Sequence, residues 1–218
     1  MPPIVSIVGR SKSGKTTLIE KLIKELRSRG YRVATVKHAP EGITPEDAGK
    51  DSSRHIEAGS EATAVSSADR VVFVKRVGGD SRLSELARLF GEDYDIILTE
   101  GFKGDSAPKL EVHRKQVGPP LKDIKKLIGI VTDEALDADI RQFSLDDVKG
   151  LADFLERGFI QPQIEGVSLY VNGAPLALST FPRQVVTSVM LALVSALKGA
   201  ESVKTMEIFI RRQPGQKP

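Results

Sequence analysis

Eight residues near the start, Gly9-Arg10-Ser11-Lys12-Ser13-Gly14-Lys15-Thr16, spell a complete G-x-x-x-x-G-K-S/T string, and no other feature constrains the fold as tightly. The apolar run Ile4-Val5-Ser6-Ile7-Val8 precedes it and predicts a strand. Leu18, Ile19, Leu22, Ile23 and Leu26 follow at helical spacing and predict one buried helix face. A glycine-rich turn between strand and helix lies at the positive helix end, where the first N–H donors have no intrahelical partner and an anion takes them. Donors from Ser11 to Thr16 would curl around a β-phosphate, Lys15 would reach the β- and γ-phosphates, and the Thr16 hydroxyl would hold Mg²⁺. Gly9, Arg10, Ser11, Lys12, Ser13, Gly14, Lys15, Thr16 and Thr17 are therefore the expected nucleotide contacts. For Arg10 and Lys12 the competing reading is a pair of solvated loop cations.

The acid that completes such a site should end a neighbouring strand. Tyr94-Asp95-Ile96-Ile97-Leu98-Thr99-Glu100 is an apolar run with a carboxylate at its carboxyl end, where parallel α/β sheets collect ligand-binding groups. Glu100 is read as the second metal-side residue beside Thr16, and Lys15 and Glu100 as the pair that would carry any catalysis. Asp95, at the opposite strand end, is expected to cap or face solvent. A further strand, Leu127 to Val131, ends at Thr132-Asp133. Asp133 either accepts hydrogen bonds from the N1 and N2 groups of guanine or simply caps a turn, and the N-K-x-D string of many guanine sites is missing.

Between these landmarks, Tyr31 to Lys37 reads as a second strand ending at Lys37-His38, followed by a loop from Ala39 to Asp47 rich in Pro, Gly and acids. Its position near the phosphate end of the sheet makes it a candidate switch segment or an ordinary surface loop. The next stretch, Asp47 to Gly59, predicts a polar helix crowded with Lys50, Asp51, Arg54, His55 and Glu57. It reads either as a solvated helix with i,i+4 pairs or as a contact for nucleotide or a second ligand. Ala62 to Ser66 and Arg70 to Lys75 predict strands, and Ser81 to Phe90 a helix that turns Leu83, Leu86, Leu89 and Phe90 to the sheet. Ser144 to Phe159 predicts a helix capped by Ser144.

These elements specify an α/β, phosphate-loop NTPase-type fold over residues 1–160, with a mostly parallel sheet flanked by helices. Gln161-Pro162-Gln163 reads as a linker to a small ββαβ unit over 161–218. There Asn172-Gly173 predicts a hairpin turn, Pro182 to Leu197 a helix apolar nearly all round, Val203 to Ile210 a strand, and Arg211, Arg212 and Lys217 a basic tail. A unit this small cannot bury such a helix alone, so it should pack on the first domain, a partner or its own copy.

Composition removes several alternatives. The 218 residues contain no cysteine, which excludes disulfides and thiolate metal sites. Aromatics make up 5% and Trp is absent, poor material for a nucleic-acid stacking platform. The net charge is +3, and the three basic tail residues account for it (3 − 3 = 0), so a nucleic-acid partner is not expected. No apolar run reaches the ~18 residues of a membrane span, and the start leaves no room for a signal peptide, which together imply a cytoplasmic setting.

GRSKSGKTTL (9–18), VKH (36–38), DAGKDSSRHIEAG (47–59), ILTEGFK (97–103) and PKLEVHR (108–114) together resemble the molybdopterin-guanine dinucleotide biosynthesis protein B family, over about residues 1–160. The resemblance implies a GTP-binding adapter of molybdenum cofactor maturation that binds Mg²⁺, hydrolyses GTP feebly and forms homodimers. It also implies association with the guanylyltransferase that joins GMP to molybdopterin and with molybdoenzymes awaiting cofactor, and molybdopterin or its guanine dinucleotide as a further ligand. Carried onto this sequence, Lys15 and Thr16 are phosphate and Mg²⁺ ligands and Glu100 the acid of the Glu-Gly-Phe-Lys motif. Asp51, Arg54 and His55 match the signature helix, and with Lys37, His38 and Lys103 they form the candidate switch or cofactor-contact set. Two rival classes remain at this level. A small-molecule or nucleoside kinase would use Asp51 to orient an acceptor hydroxyl and Arg54 as a lid cation. A metal-insertion GTPase is poorly served by three scattered histidines, His38, His55 and His113.

Overall fold

The structure, a computed structural model, describes residues 1–39, 42, 50–79, 82–163, 167, 169–171, 174–176, 178–198, 206 and 208. The chain divides into two compact units, Met1–Ile164 and Glu165–Pro218. In the first, β1 (Ile4–Gly9), α1 (Lys15–Ser28), β2 (Val33–Lys37), α2 (Lys50–Glu57), β3 (Ala62–Ser66) and β4 (Val71–Lys75) are followed by α3 (Leu83–Leu89), β5 (Ile96–Glu100), β6 (Lys109–Val112), β7 (Leu127–Thr132), β8 (Gln142–Ser144) and α4 (Val148–Leu155). Six of these strands form one sheet in the order β2-β5-β1-β6-β7-β8, and every neighbouring pair in it is parallel. The order reverses direction around β1, so the crevice for a ligand opens beyond the carboxyl end of that strand.

One face of the sheet carries the main core. Val5 and Ile7 of β1, Ile96 and Leu98 of β5, and Leu110 and Val112 of β6 pack against Leu18, Leu22 and Leu26 of α1 and Leu151 and Leu155 of α4. On the other face, Ala34 and Ile97 pack with Ala87 of α3, and a polar row lies buried beside them. Ser6, Thr99, Lys109, Glu111 and His113 are all nearly inaccessible. Thr99 Oγ1 donates to Ser6 Oγ at 2.9 Å. Lys109 Nζ donates to the carbonyls of Ala107 (2.9 Å), Lys125 (3.3 Å) and Asp105, and burial holds its ammonium below the ordinary lysine value. Carbonyls thus replace the water this cation gives up.

Three sequence expectations are corrected here. Leu89 is 57% exposed, while Leu83 and Ala87 are the buried residues of α3, and Ala87 packs with Ala34 and Ile97 of the sheet. Ser144 does not cap the last helix of this unit. It ends the edge strand β8, paired with Thr132, and Asp147 takes over the cap by accepting from Gly150 N at 3.0 Å. The helix is also shorter than expected, since α4 passes into a π-helical turn over Glu156–Ile160. β3 and β4 are strands as expected, but they form a separate antiparallel hairpin outside the main sheet.

In the second unit β9 (Leu169–Val171) pairs antiparallel with β10 (Ala174–Leu176), and α5 (Thr180–Ser195) follows. Phe181, Leu193 and Leu197 stand exposed at 74%, 59% and 63%. The expected Asn172-Gly173 turn, most of the Val203–Ile210 strand and the basic tail fall outside the described residues. Among the described residues no helix is long and apolar enough to cross a membrane.

α1 and α4 are tied by a charge network. Arg29 donates through Nη1 to Asp153 (2.6 Å) and Glu156 (2.7 Å) and through Nη2 to Glu25 (2.8 Å), while Tyr31 Oη donates to Glu156 at 2.7 Å. The Tyr31 hydroxyl and then Arg29 hold the Glu156 carboxyl below its ordinary value. A carboxyl with a depressed folded pKa contributes stability that is complete above the unfolded value and is lost as pH falls through the folded one. Glu156→Gln should therefore flatten the loss of stability below about pH 4. Urea midpoints across that range check it, and profiles that run parallel for the two proteins contradict it.

Candidate nucleotide site

β1 delivers the chain to the turn at a position where only glycine fits. Gly9 has φ 152°, and a Cβ there would lie 2.5 Å from the Val112 carbonyl oxygen and 2.7 Å from Ser13 Oγ. Gly14 (φ 98°) and Lys12 (φ 62°) also adopt left-handed backbone, which folds the turn back on itself before α1 begins at Lys15. Lys15 Nζ donates to the Arg10 carbonyl at 2.9 Å and so spans the loop. Ser13 Oγ is buried without a hydrogen-bond partner, a polar atom inside the cradle. Arg10 points elsewhere: its Nε donates to the Pro119 carbonyl at 2.8 Å. Thr17 is exposed on the first turn of α1.

Parallel pairing sets Ile7 opposite Glu100, and this brings the acid to the turn. Thr16 Oγ1 lies 3.1 and 3.0 Å from the two Glu100 carboxylate oxygens. A hydroxyl and one carboxylate at a glycine-built turn fit Mg²⁺, which takes few protein oxygens and completes its shell from ligand oxygens and water. Among the described residues there is no cluster of three or more His, Asp or Glu side chains that would favour an all-protein metal cage.

The candidate switch residues divide. Lys37 pairs with Glu100 across β2 and β5, and His38 N donates to the Glu100 carbonyl at 3.0 Å. The His38 and Phe102 rings stand 5.1 Å apart. Burial lowers the Lys15 pKa; Glu100 opposes this and Lys103 and Lys37 add to it. Lys15, Lys37 and Lys103 thus share one positive field at the carboxyl end of β5. Arg54 and His55 are exposed on α2, which packs on β3. The Asp51 side chain and nearly all of residues 40–49 lie outside what is described.

Asp133 follows β7, and its surroundings include a residue that sequence reasoning missed. Its Oδ1 accepts from Lys115 N at 2.9 Å, and its Oδ2 lies 3.9 Å from Arg114 Nη1. Arg114 Nε donates to the Ser13 carbonyl at 3.1 Å. Arg114, Lys115, Gln116 and Asp133 line an open depression beside the turn. Arg114 entered the sequence reading only as the end of the PKLEVHR string. Its place directly after β6 gains meaning only from the pairing of that strand with β1.

Residues 4–133 match the family model described as "Molybdopterin guanine dinucleotide synthesis protein B". A "Molybdopterin-guanine dinucleotide biosynthesis adapter protein" of Haemophilus influenzae is 35% identical over 156 residues, covering 71% of this chain and 88% of the relative. A solved structure described as "molybdopterin-guanine biosynthesis protein B (mobB)" superposes with a TM-score of 0.58 at 30% identity, covering 71% of this chain and 98% of that one. A "Putative molybdopterin-guanine dinucleotide biosynthesis adapter protein" of Methanocaldococcus jannaschii is 26% identical and covers 95% of this chain and 97% of its own length. That alignment extends into the second unit.

Gly9→Ala tests the steric constraint at the turn. The added methyl meets the fixed Val112 carbonyl, and the backbone conformation is strained for any other residue, so a loss above about 1 kcal/mol is expected. Thermal unfolding reads it, and an unchanged melting temperature contradicts it.

Proposed function

Because this chain belongs to the molybdopterin guanine dinucleotide synthesis protein B family, we propose that it performs its adapter role by binding GTP with Mg²⁺ on the turn from Gly9 to Thr16. The adapter role in molybdopterin guanine dinucleotide biosynthesis comes with the family; the nucleotide is read from the site. The observation that carries it is the convergence of Thr16 Oγ1 on both oxygens of Glu100 under a glycine-built turn. Thr16 would hold the metal, Glu100 would hold it through water, and Lys15 would leave the Arg10 carbonyl for phosphate oxygens. The bound Mg²⁺ supplies charge neutralisation between the phosphates.

Asp133 fits a guanine reader, since a carboxylate pairs with the N–H donors of guanine N1 and N2. Hydrolysis is slow in this reading. The groups assembled at the site neutralise phosphate charge, and in this reading Glu100 is engaged with a metal-bound water and is not free to activate an attacking one. Bound nucleotide then acts mainly as a state signal. Lys37, His38 and Lys103 stand where a second ligand such as molybdopterin or its guanine dinucleotide would meet the nucleotide. A homodimer working in the cytoplasm with the guanylyltransferase and molybdoenzymes completes the proposal.

Calorimetric titration with GTP and ATP tests it. Lys15→Ala should weaken GTP binding about tenfold to a hundredfold, the loss of charge-assisted hydrogen bonds. Thr16→Ala and Glu100→Gln should weaken it only when Mg²⁺ is present, and Asp133→Ala should abolish the preference for GTP over ATP. Native and Lys15→Ala proteins with the same affinity would contradict the phosphate site. A preference intact in Asp133→Ala would contradict the base reader.

A further inference from the structure

We propose that Arg114 is the second half of the guanine reader and, through the same side chain, the link between that reader and the phosphate turn. The inference rests on the guanine reading of Asp133. It starts from the orientation of one guanidinium. Nε is committed to the Ser13 carbonyl at 3.1 Å. The same Nε–Nη2 edge faces Gly14, where a Cβ would sit 3.5 Å from both nitrogens and 4.0 Å from Cζ. Nη1 is aimed toward Asp133 Oδ2 but stops at 3.9 Å, too long for a hydrogen bond. A donor and an acceptor therefore stand side by side at the depression, each with unused capacity.

Guanine offers the complementary edge. Its O6 accepts and the adjacent N1–H donates, so Nη1 takes O6 while Asp133 takes N1–H. Adenine inverts the pair: its N6 amino group would face the guanidinium and its N1 lone pair the carboxylate. Both contacts become repulsive, and two charged groups are left unpaired. The carboxylate supplies one half of this discrimination and Arg114 the other.

The Ser13 contact gives Arg114 its second task. A peptide plane is rigid and trans, so holding the Ser13 carbonyl outward turns the Gly14 N–H inward, toward the space where a phosphate binds. The same guanidinium thus orients a phosphate donor and faces the base. Arg114 is a specificity-determining and positioning residue; it takes no part in bond breaking.

The test compares the native protein with Arg114→Met and Arg114→Lys by calorimetry, using GTP, ITP, ATP and inorganic tripolyphosphate, each with Mg²⁺. ITP keeps O6 and N1–H and lacks only the 2-amino group. The native protein should prefer GTP and ITP to ATP. Both variants should cut the GTP-to-ATP and ITP-to-ATP ratios about tenfold or more, and Arg114→Met should also weaken tripolyphosphate. Arg114→Lys retains the cation and guards against a variant that fails to fold. If all four ligands weaken by one common factor, Arg114 only shapes the turn and the proposal is overturned while the GTP reading stands. If the native protein takes ATP as well as GTP, the guanine reading and this inference fall together.

Discussion

The register of one strand underlies the site. β1 lies in the middle of the sheet, hydrogen-bonded to β5 on one side and β6 on the other, with Ile7 opposite Glu100 and Gly9 opposite Val112. That alignment brings together the turn, the acid after β5 and Arg114 after β6, which lie far apart in sequence. A slip by one residue would turn Val5 and Ile7 out of the α1 and α4 face and carry Glu100 away from Thr16. The burial that fixes the core therefore fixes Glu100 against Thr16 as well. Val5, Ile7, Leu98 and Leu110 are fully buried, and each such side chain contributes about 1.5–3 kcal/mol of transfer free energy.

Much of this architecture was legible because it rests on local patterns. The apolar run before Gly9, the glycine spacing and the stripe from Leu18 to Leu26 each specify one element, and they agree. Glu100 stood out as a carboxylate ending an apolar strand, and the structure sets its two oxygens against Thr16 Oγ1. What escaped depends on neighbours far away in the chain. Lys109, Glu111 and His113 are buried although polar, because a parallel sheet is covered on both sides. β8 is only Gln142–Ser144, too short to show any period, and by pairing with β7 it removed Ser144 from the role of cap. On α3 the buried positions are Leu83 and Ala87, four apart on one helix face, and Leu89 lies off that face. Arg114 was invisible as a site residue until the strand order placed it beside Ser13.

The second unit shows the opposite balance. The all-round apolar character of α5 could be read directly from Val185, Val189, Leu193 and Leu197, and the exposure of several of these side chains agrees with a surface that this unit does not cover by itself. The alignment with the Methanocaldococcus jannaschii relative reaches this unit, whereas the Haemophilus influenzae relative covers 71% of the chain. The turn after β1, Glu100, Arg114 and Asp133 all belong to the first unit.

The central claim is that a triphosphate rests on the turn after β1 and that its metal bridges to the end of β5. A crystal structure with a non-hydrolysable GTP analogue and Mn²⁺ in place of Mg²⁺ tests it most directly, because the anomalous signal locates the metal independently of the surrounding density. The account predicts one peak bound by Thr16 Oγ1 and two phosphate oxygens, with Glu100 holding a metal-bound water. A nucleotide seated away from Gly9–Thr16, or a metal peak remote from Thr16 and Glu100, would contradict it.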